Sequence, residues 1–180
     1  SRRGTLHLPD RRRRVPPNTH PLGQLVEHRE CVARRGSDGP EGIRDRYAAK
    51  GVTLLDDERS VAGRQVLVDR SRIGQVLTNL LNNALRHTPA GGTVMISAAG
   101  DRDQVGITVS DNGDGMTPEQ LDHAFERFYR GDAARTRDRT GSGIGLTISR
   151  AIINAHGGSL TAASAGPDHG STLTINLPTP

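Results

Sequence analysis

"NLLNNALRHT" (residues 79–88) sets three asparagines among leucines in a stretch that otherwise reads as helix. The asparagine amide competes for backbone hydrogen bonds and makes the residue an indifferent helix former, so its repetition asks for a reason. At about 100° per residue, Ile73, Val76, Leu77, Leu80, Leu81, Ala84 and Leu85 fill one half of the circumference of a helix over residues 71–87. Asn79, Asn83 and Arg86 fall at i, i+4 and i+7 on a stripe beside that apolar half, with Arg72 on the same side and Asn82 further out in solvent. Such a stripe suits the floor of a cleft. An amide oxygen is a neutral ligand that Mg²⁺ accepts while keeping positions for phosphates and water. Arg86 can pair with phosphate oxygens. A solvated polar edge is the competing reading, and on this helix alone it is the better one.

Two glycine motifs downstream change the balance. The apolar alternation of "VGITVS" (residues 105–110) reads as a strand and runs straight into "DNGDGM" (residues 111–116). A carboxylate at a strand end, Asp111, can accept from an exocyclic amine such as that of adenine. Gly113 and Gly115 would permit close backbone approach and unusual φ angles. An ordinary turn is one alternative. A calcium loop is another, but Gly113 and Gly115 occupy the third and fifth positions, where that loop needs oxygen ligands. Further on, "TGSGIGL" (residues 140–146) leads into a helix, and glycine N–H groups at a helix N-terminus cradle phosphate. Gly141, Gly143 and Gly145 are weak evidence alone. No strand precedes them as in a dinucleotide fingerprint, and no Lys-Ser/Thr follows as in a P-loop.

The order of motifs is more specific than any one of them. An Asn-bearing helix, Asp-x-Gly-x-Gly after a strand, "FERFYR" (residues 125–130), Gly-x-Gly-x-Gly and a closing "GSTLTINLP" (residues 170–178) together resemble the ATP-binding catalytic domain of bacterial sensor histidine kinases. The resemblance spans about residues 22–178. It implies a two-layer α/β sandwich (the Bergerat ATP-binding fold), a mixed sheet with helices on one face, and ATP with Mg²⁺ held beneath a lid. By motif match Asn83 would be the metal ligand, Asn79 a second polar contact and Arg86 a phosphate contact. His87 stands where the family often has Tyr. Asp111 would bind the adenine amine, Gly113 and Gly115 would shape that pocket, and Thr172 would lie near the base. Phe125, Phe128 and Tyr129 would anchor the start of the lid, with Arg127 and Arg130 as phosphate contacts. Gly141, Gly143, Gly145 and the adjoining Leu146 would close over the triphosphate.

The rest of the chain fits one domain. Its 180 residues suit a single core, built from Val, Ile, Leu and Ala because aromatics are nearly absent. Six Arg and one Asp in residues 1–14 contribute +5 of a total net charge of +4, so the body is near neutral and the basicity belongs to a leader. No aromatic interleaving marks that run as an RNA-binding patch. Residues 1–20 read as an Arg/Pro-rich linker or leader and 21–180 as the catalytic domain, with a helix over 22–35, a loop over 36–42, a short helix ending at Gly51, and strands at "VTLLDD" (52–57) and "QVLVD" (65–69). Strands at 91–100 and 103–111, a helix from Thr117, a long mobile polar segment at 130–143, a helix over 144–156 and two closing strands complete the pattern. Cys31 is alone, which excludes an internal disulfide and fits a reducing, cytoplasmic setting. No membrane-length apolar run is present. The first residue is Ser, not Met, so a processed, truncated or engineered piece is expected.

The resemblance also narrows the reaction. Related ATPases, the gyrase B, mismatch-repair and heat-shock chaperone proteins, carry a water-activating Glu four residues before the metal Asn. Here that position is Asn79, and an amide is no general base. Phosphoryl transfer to a histidine is therefore expected, with a nucleotide-binding adaptor or pseudokinase and an ATP hydrolase as alternatives. The family's acceptor motif, roughly His-Glu-x-x-x-Pro, is missing: neither His7 nor His20 in "NTHPLGQ" matches it. The expected partners are a dimerisation and histidine-phosphoacceptor domain, in a longer protein or a separate chain, and through it a response regulator.

Overall fold

Val105, Ile107 and Val109 stand opposite Leu177, Ile175 and Leu173 across one antiparallel strand pair, and all six are buried. The computed structural model describes residues 19–21, 40–60, 65–129 and 143–180. In chain order they form β1 (Thr19–Pro21), α1 (Pro40–Lys50), β2 (Thr53–Ser60), β3 (Gln65–Leu67), α2 (Arg70–His87), β4 (Thr93–Gly100), β5 (Gln104–Asp111), α3 (Pro118–His123), α4 (Gly145–Ala155), β6 (Ser159–Ala163) and β7 (Thr172–Pro178).

The main sheet has five strands in the order β2-β4-β5-β7-β6. β2 runs parallel to β4, and every other pair is antiparallel. Because side chains alternate across a strand, one face gathers Val94, Ala98, Val105, Ile107, Val109, Leu160, Leu173, Ile175 and Leu177 into the core. The helices cover that face: α2 packs on α4 and β5, α4 on β6, and α1 on β2. The opposite face is polar along its centre, where the Thr108 and Thr174 hydroxyls lie 3.4 Å apart and those of Ser110 and Thr172 lie 3.0 Å apart. This is the mixed sheet with helices on one face that the motif order implies.

Several elements differ in detail from the sequence reading. α1 begins at Pro40 rather than after Gly42, as suits proline, whose fixed φ fits the first turn of a helix. β3 leaves the main sheet and pairs antiparallel with β1, Thr19 opposite Leu67. That partner lies far away in sequence, so no local pattern announces it. α3 is short, with a capping box in which Thr117 Oγ1 accepts from Gln120 N and Gln120 Oε1 accepts from Thr117 N. The expected helix over 22–35, most of the 36–42 loop and most of the polar segment from residue 130 lie outside the described residues.

Candidate functional site

Helix α2 is the floor of the site, and it is pinned at both ends. At its start Asp69 accepts from the amides of Ser71 and Arg72 at 2.9 and 3.1 Å, satisfying two of the helix's orphan donors. The Asp69 amide donates to His156 Nε2 at 3.0 Å, while His156 Nδ1 donates to the Ile152 carbonyl at 2.7 Å. A carbonyl only accepts, so the proton sits on Nδ1 and α4's C-cap holds the start of α2. At the other end Lys50, the chain's single lysine, donates to the carbonyls of Leu85 and Arg86 at 2.6 and 2.9 Å. Those are terminal acceptors at the negative end of the helix dipole. The buried Tyr47 hydroxyl donates to the Leu81 carbonyl at 2.8 Å. Burial, helped by the Asp111 charge and opposed by Arg46, raises that phenol far above its ordinary value.

The apolar face of α2 is as expected, with Ile73, Val76, Leu80, Leu81, Ala84 and Leu85 buried. On its border, Asn79 donates through Nδ2 to the Gly145 carbonyl at 3.3 Å and to Ser149 Oγ at 3.2 Å. Asn83 is half-buried, and its amide makes no hydrogen bond among the described residues. The exposed Arg86 guanidinium likewise has no ion pair there. Asn82 is half-buried too, rather than fully in solvent. His87 Nδ1 lies 3.4 Å from Asp114 Oδ2, a partly exposed contact that ties α2's end to the following turn.

Asp111 ends β5 on the helix-covered face, and three donors fix its carboxylate. Oδ1 accepts from Gly113 N at 2.9 Å and Ser171 N at 3.3 Å, and Oδ2 accepts from Ser171 Oγ at 2.7 Å. Thr172 does not join it. Strand alternation turns Thr172 to the opposite face, onto Ser110, so the residue beside Asp111 is its neighbour, the buried Ser171. The alternation of Leu173, Ile175 and Leu177 in the sequence carried this signal.

Gly113 is set against the end of α2: a Cβ there would land on the His87 carbonyl. The Asp114 amide donates to that same carbonyl at 2.9 Å. Gly115 has φ +67° and backs onto the Gly166 carbonyl, so both glycines answer close backbone approach.

Phe128 and Gly143, on either side of the expected lid, meet near the start of α4. Phe128, with φ +64° and 63% exposed, donates its amide to the Gly143 carbonyl at 3.0 Å. Arg127 lies over the Phe128 ring at 5.3 Å, and Arg150 over Phe125 at 5.0 Å. Thr147 Oγ1 donates to the Phe125 carbonyl at 2.9 Å, fastening α4 to the "FERFYR" stretch. Leu146 packs at the margin of the core. Ile144 caps α4 without a side-chain hydrogen bond, so no side chain among the described residues takes up the helix's first N–H groups, which suits an anion. Arg130 and Gly141 lie outside the described residues. His123, 3.0 Å from Glu126, is held above its ordinary pKa, chiefly by that carboxylate and then by Asp122 and Glu119, against some desolvation.

Asn79 touches the start of α4, and Gly113 touches the end of α2 eight residues on. The helix thus spans about 12 Å between the two glycine motifs, with Asn83 and Arg86 in between. No group of three or more His, Cys, Asp or Glu among the described residues could hold a metal by itself. A single amide oxygen fits Mg²⁺, which takes few protein ligands and completes its shell with phosphates and water.

Residues 68–180 match the family described as histidine kinase-, DNA gyrase B-, and HSP90-like ATPase. The chain is 42% identical over 140 residues to the signal transduction histidine-protein kinase BaeS of Escherichia coli (strain K12), a match covering 76% of this chain and 28% of that protein. The Sensor protein SrrB of Staphylococcus aureus is 43% identical over 112 residues, covering 62% of this chain and 19% of SrrB. The chain thus spans under a third of the length of these curated relatives. Among solved structures, the mycobacterial sensor histidine kinase MprB superposes with a TM-score of 0.72 at 26% identity, covering 89% of this chain and 97% of that one. No helix among the described residues is long and apolar enough to cross a membrane.

Proposed function

This chain belongs to the histidine kinase-, DNA gyrase B-, and HSP90-like ATPase family, as a sensor histidine kinase catalytic domain, and we propose that it binds Mg-ATP and passes the γ-phosphoryl group to a histidine outside these residues. The observation that carries the proposal is the pair of unspent groups on α2, Asn83 and Arg86, lying between an adenine-competent carboxylate and an uncapped helix N-terminus.

Each residue's part follows from its surroundings. Asp111, fixed by Gly113 and Ser171, retains lone pairs for the adenine amine. Asn83 would offer its oxygen to the metal, and Arg86 would pair with phosphate oxygens. Mg²⁺, when bound, would neutralise charge on the β- and γ-phosphates. Gly143 and Gly145, with Leu146, would bring α4's amides to the triphosphate, while Arg127, with Arg130 and Gly141, would close from the lid. In the transfer, a neutral imidazole nitrogen attacks the γ-phosphorus, a P–N bond forms, and the bond to the β–γ bridging oxygen breaks with its electrons leaving on ADP. No general base on this chain is required, because imidazole is nucleophilic when neutral. Asn79 agrees with that: it carries no base, and its nitrogen is committed to α4. Hydrolysis by activated water has no residue to drive it at that position.

The acceptor would sit on a dimerisation and phosphoacceptor domain, with a response regulator downstream and the whole reaction in the cytoplasm. The test is incubation of this chain with γ-labelled ATP and Mg²⁺, with and without a family acceptor domain. Label reaching the acceptor's histidine, with no self-labelling and little free phosphate, is the expected result. Brisk phosphate release without acceptor would replace the kinase reading with an ATPase, and nucleotide retention without either would leave an adaptor.

A further inference from the structure

Ser149 is fully buried in α4, one of three buried polar residues among those described. The family motif gives it no part in the site, and an apolar residue would fill such a position without leaving a hydroxyl in the core. Its Oγ lies 3.2 Å from Asn79 Nδ2, which also donates to the Gly145 carbonyl at 3.3 Å. The carbonyl settles the orientation of the amide: it accepts only, so the nitrogen must face α4. Asn79 Oδ1 is then left with no donor among the described residues, and it sits one helical turn before Asn83 on the same stripe.

We propose that Ser149 is a positioning residue that holds the Asn79 nitrogen against α4 and so presents the Asn79 oxygen, not its nitrogen, to the metal-bound nucleotide. The inference rests on the nucleotide reading given above and deepens it. An oxygen facing the cleft favours a cation and its bound waters, whereas an –NH₂ group facing it would repel them. With the hydroxyl removed, the nitrogen keeps only the 3.3 Å contact to the Gly145 carbonyl, and the amide is held less firmly. The same contact joins the metal-bearing helix to the helix that follows the lid, so the orientation of Asn79 depends on how α4 is seated.

The test uses the full chain with Ser149→Ala, Asn79→Ala and the double variant. Alanine is the better helix former, so a purely structural role predicts unchanged or higher thermal stability and equal effects on ATP binding with and without Mg²⁺. Positioning predicts that Ser149→Ala weakens Mg-ATP binding about fivefold, leaves ATP binding in EDTA unaltered, and has no further effect in the Asn79→Ala background. A second readout needs no nucleotide. In the free chain the Asn79 side-chain amide protons should exchange with solvent more slowly than those of Asn83, and Ser149→Ala should narrow the difference.

Equal exchange of the two amides in the unmutated chain would overturn the proposal, as would an undiminished Ser149→Ala effect when Asn79 is already alanine. An unchanged Mg-ATP affinity in Ser149→Ala would overturn it too. Failure of the unmutated chain to bind Mg-ATP at all, with amide protection intact, would instead sink the nucleotide reading on which it rests.

Discussion

The two ends of the candidate site are built on opposite terms. Beside the C-terminal end of α2 the Asp111 turn is tied down: the carboxylate takes three donors from Gly113 and Ser171, and the His87 carbonyl takes the Asp114 amide. Further along the cleft, the side chains of Asn83 and of Arg86 in the last turn have no partners among the described residues, and α4 begins without a side-chain cap. The closed end is preorganised, so it can discriminate a base edge with little rearrangement. The open end is left for a ligand to complete, which is where charge neutralisation is needed. A site for a nucleotide wants this division, because a base is recognised by fixed hydrogen bonds and a triphosphate by mobile cations.

Changes in the Asp111 turn should cost stability as well as binding, and changes at the open end binding alone. The largest effect is expected for Gly113→Ala, whose new methyl meets backbone that cannot step aside. It should lower unfolding free energy by about 3 kcal/mol, read as a fall in the urea midpoint. Asp111→Asn should weaken ATP binding by about tenfold or more, measured by calorimetric titration, with a smaller fall in melting temperature. Arg86→Ala should weaken ATP about fivefold with no change in melting temperature; a matching stability loss would erase the contrast. Lys50→Met should cost about 1 kcal/mol of stability by freeing two terminal carbonyls of α2 while leaving nucleotide affinity nearly intact.

The smallest effect concerns His123 and Glu126. The folded state raises His123's pKa, so the pair's stabilisation is present below the unfolded value of about 6.5. It fades as pH rises through the folded value. Glu126→Gln should therefore lower stability slightly at acid pH and leave it unchanged in the alkaline range, as followed by melting temperature across pH.

Some of this was legible in the sequence because the physics is periodic. The apolar half of α2 follows from its 3.6-residue repeat, and β4 and β5 follow from the alternation of Val94, Ile96, Ala98 and Val105, Ile107, Val109. Thr172 comes from the motif match and not from periodicity: counting back from Leu173 by one places it on the far face, and Ser171 is the residue that reaches Asp111. Other features had no local signal. Asn79's bonds to Gly145 and Ser149, and Lys50's to the end of α2, join residues 35 to 70 positions apart. The pairing of Thr19 to Pro21 with β3 is of the same kind. Gly113 was legible as a special backbone, but the reason, the His87 carbonyl behind it, is tertiary.

The account's central claim is that a fixed adenine end and an open metal end share one nucleotide. Titrating ATP into the unmutated chain, Asp111→Asn and Asn83→Ala, each with Mg²⁺ and with EDTA, tests it most directly. The account predicts that Asp111→Asn weakens binding equally in both conditions, whereas Asn83→Ala removes only the increment that Mg²⁺ provides and leaves the melting temperature unchanged. Identical behaviour of the two variants, or ATP binding indifferent to both, would contradict it.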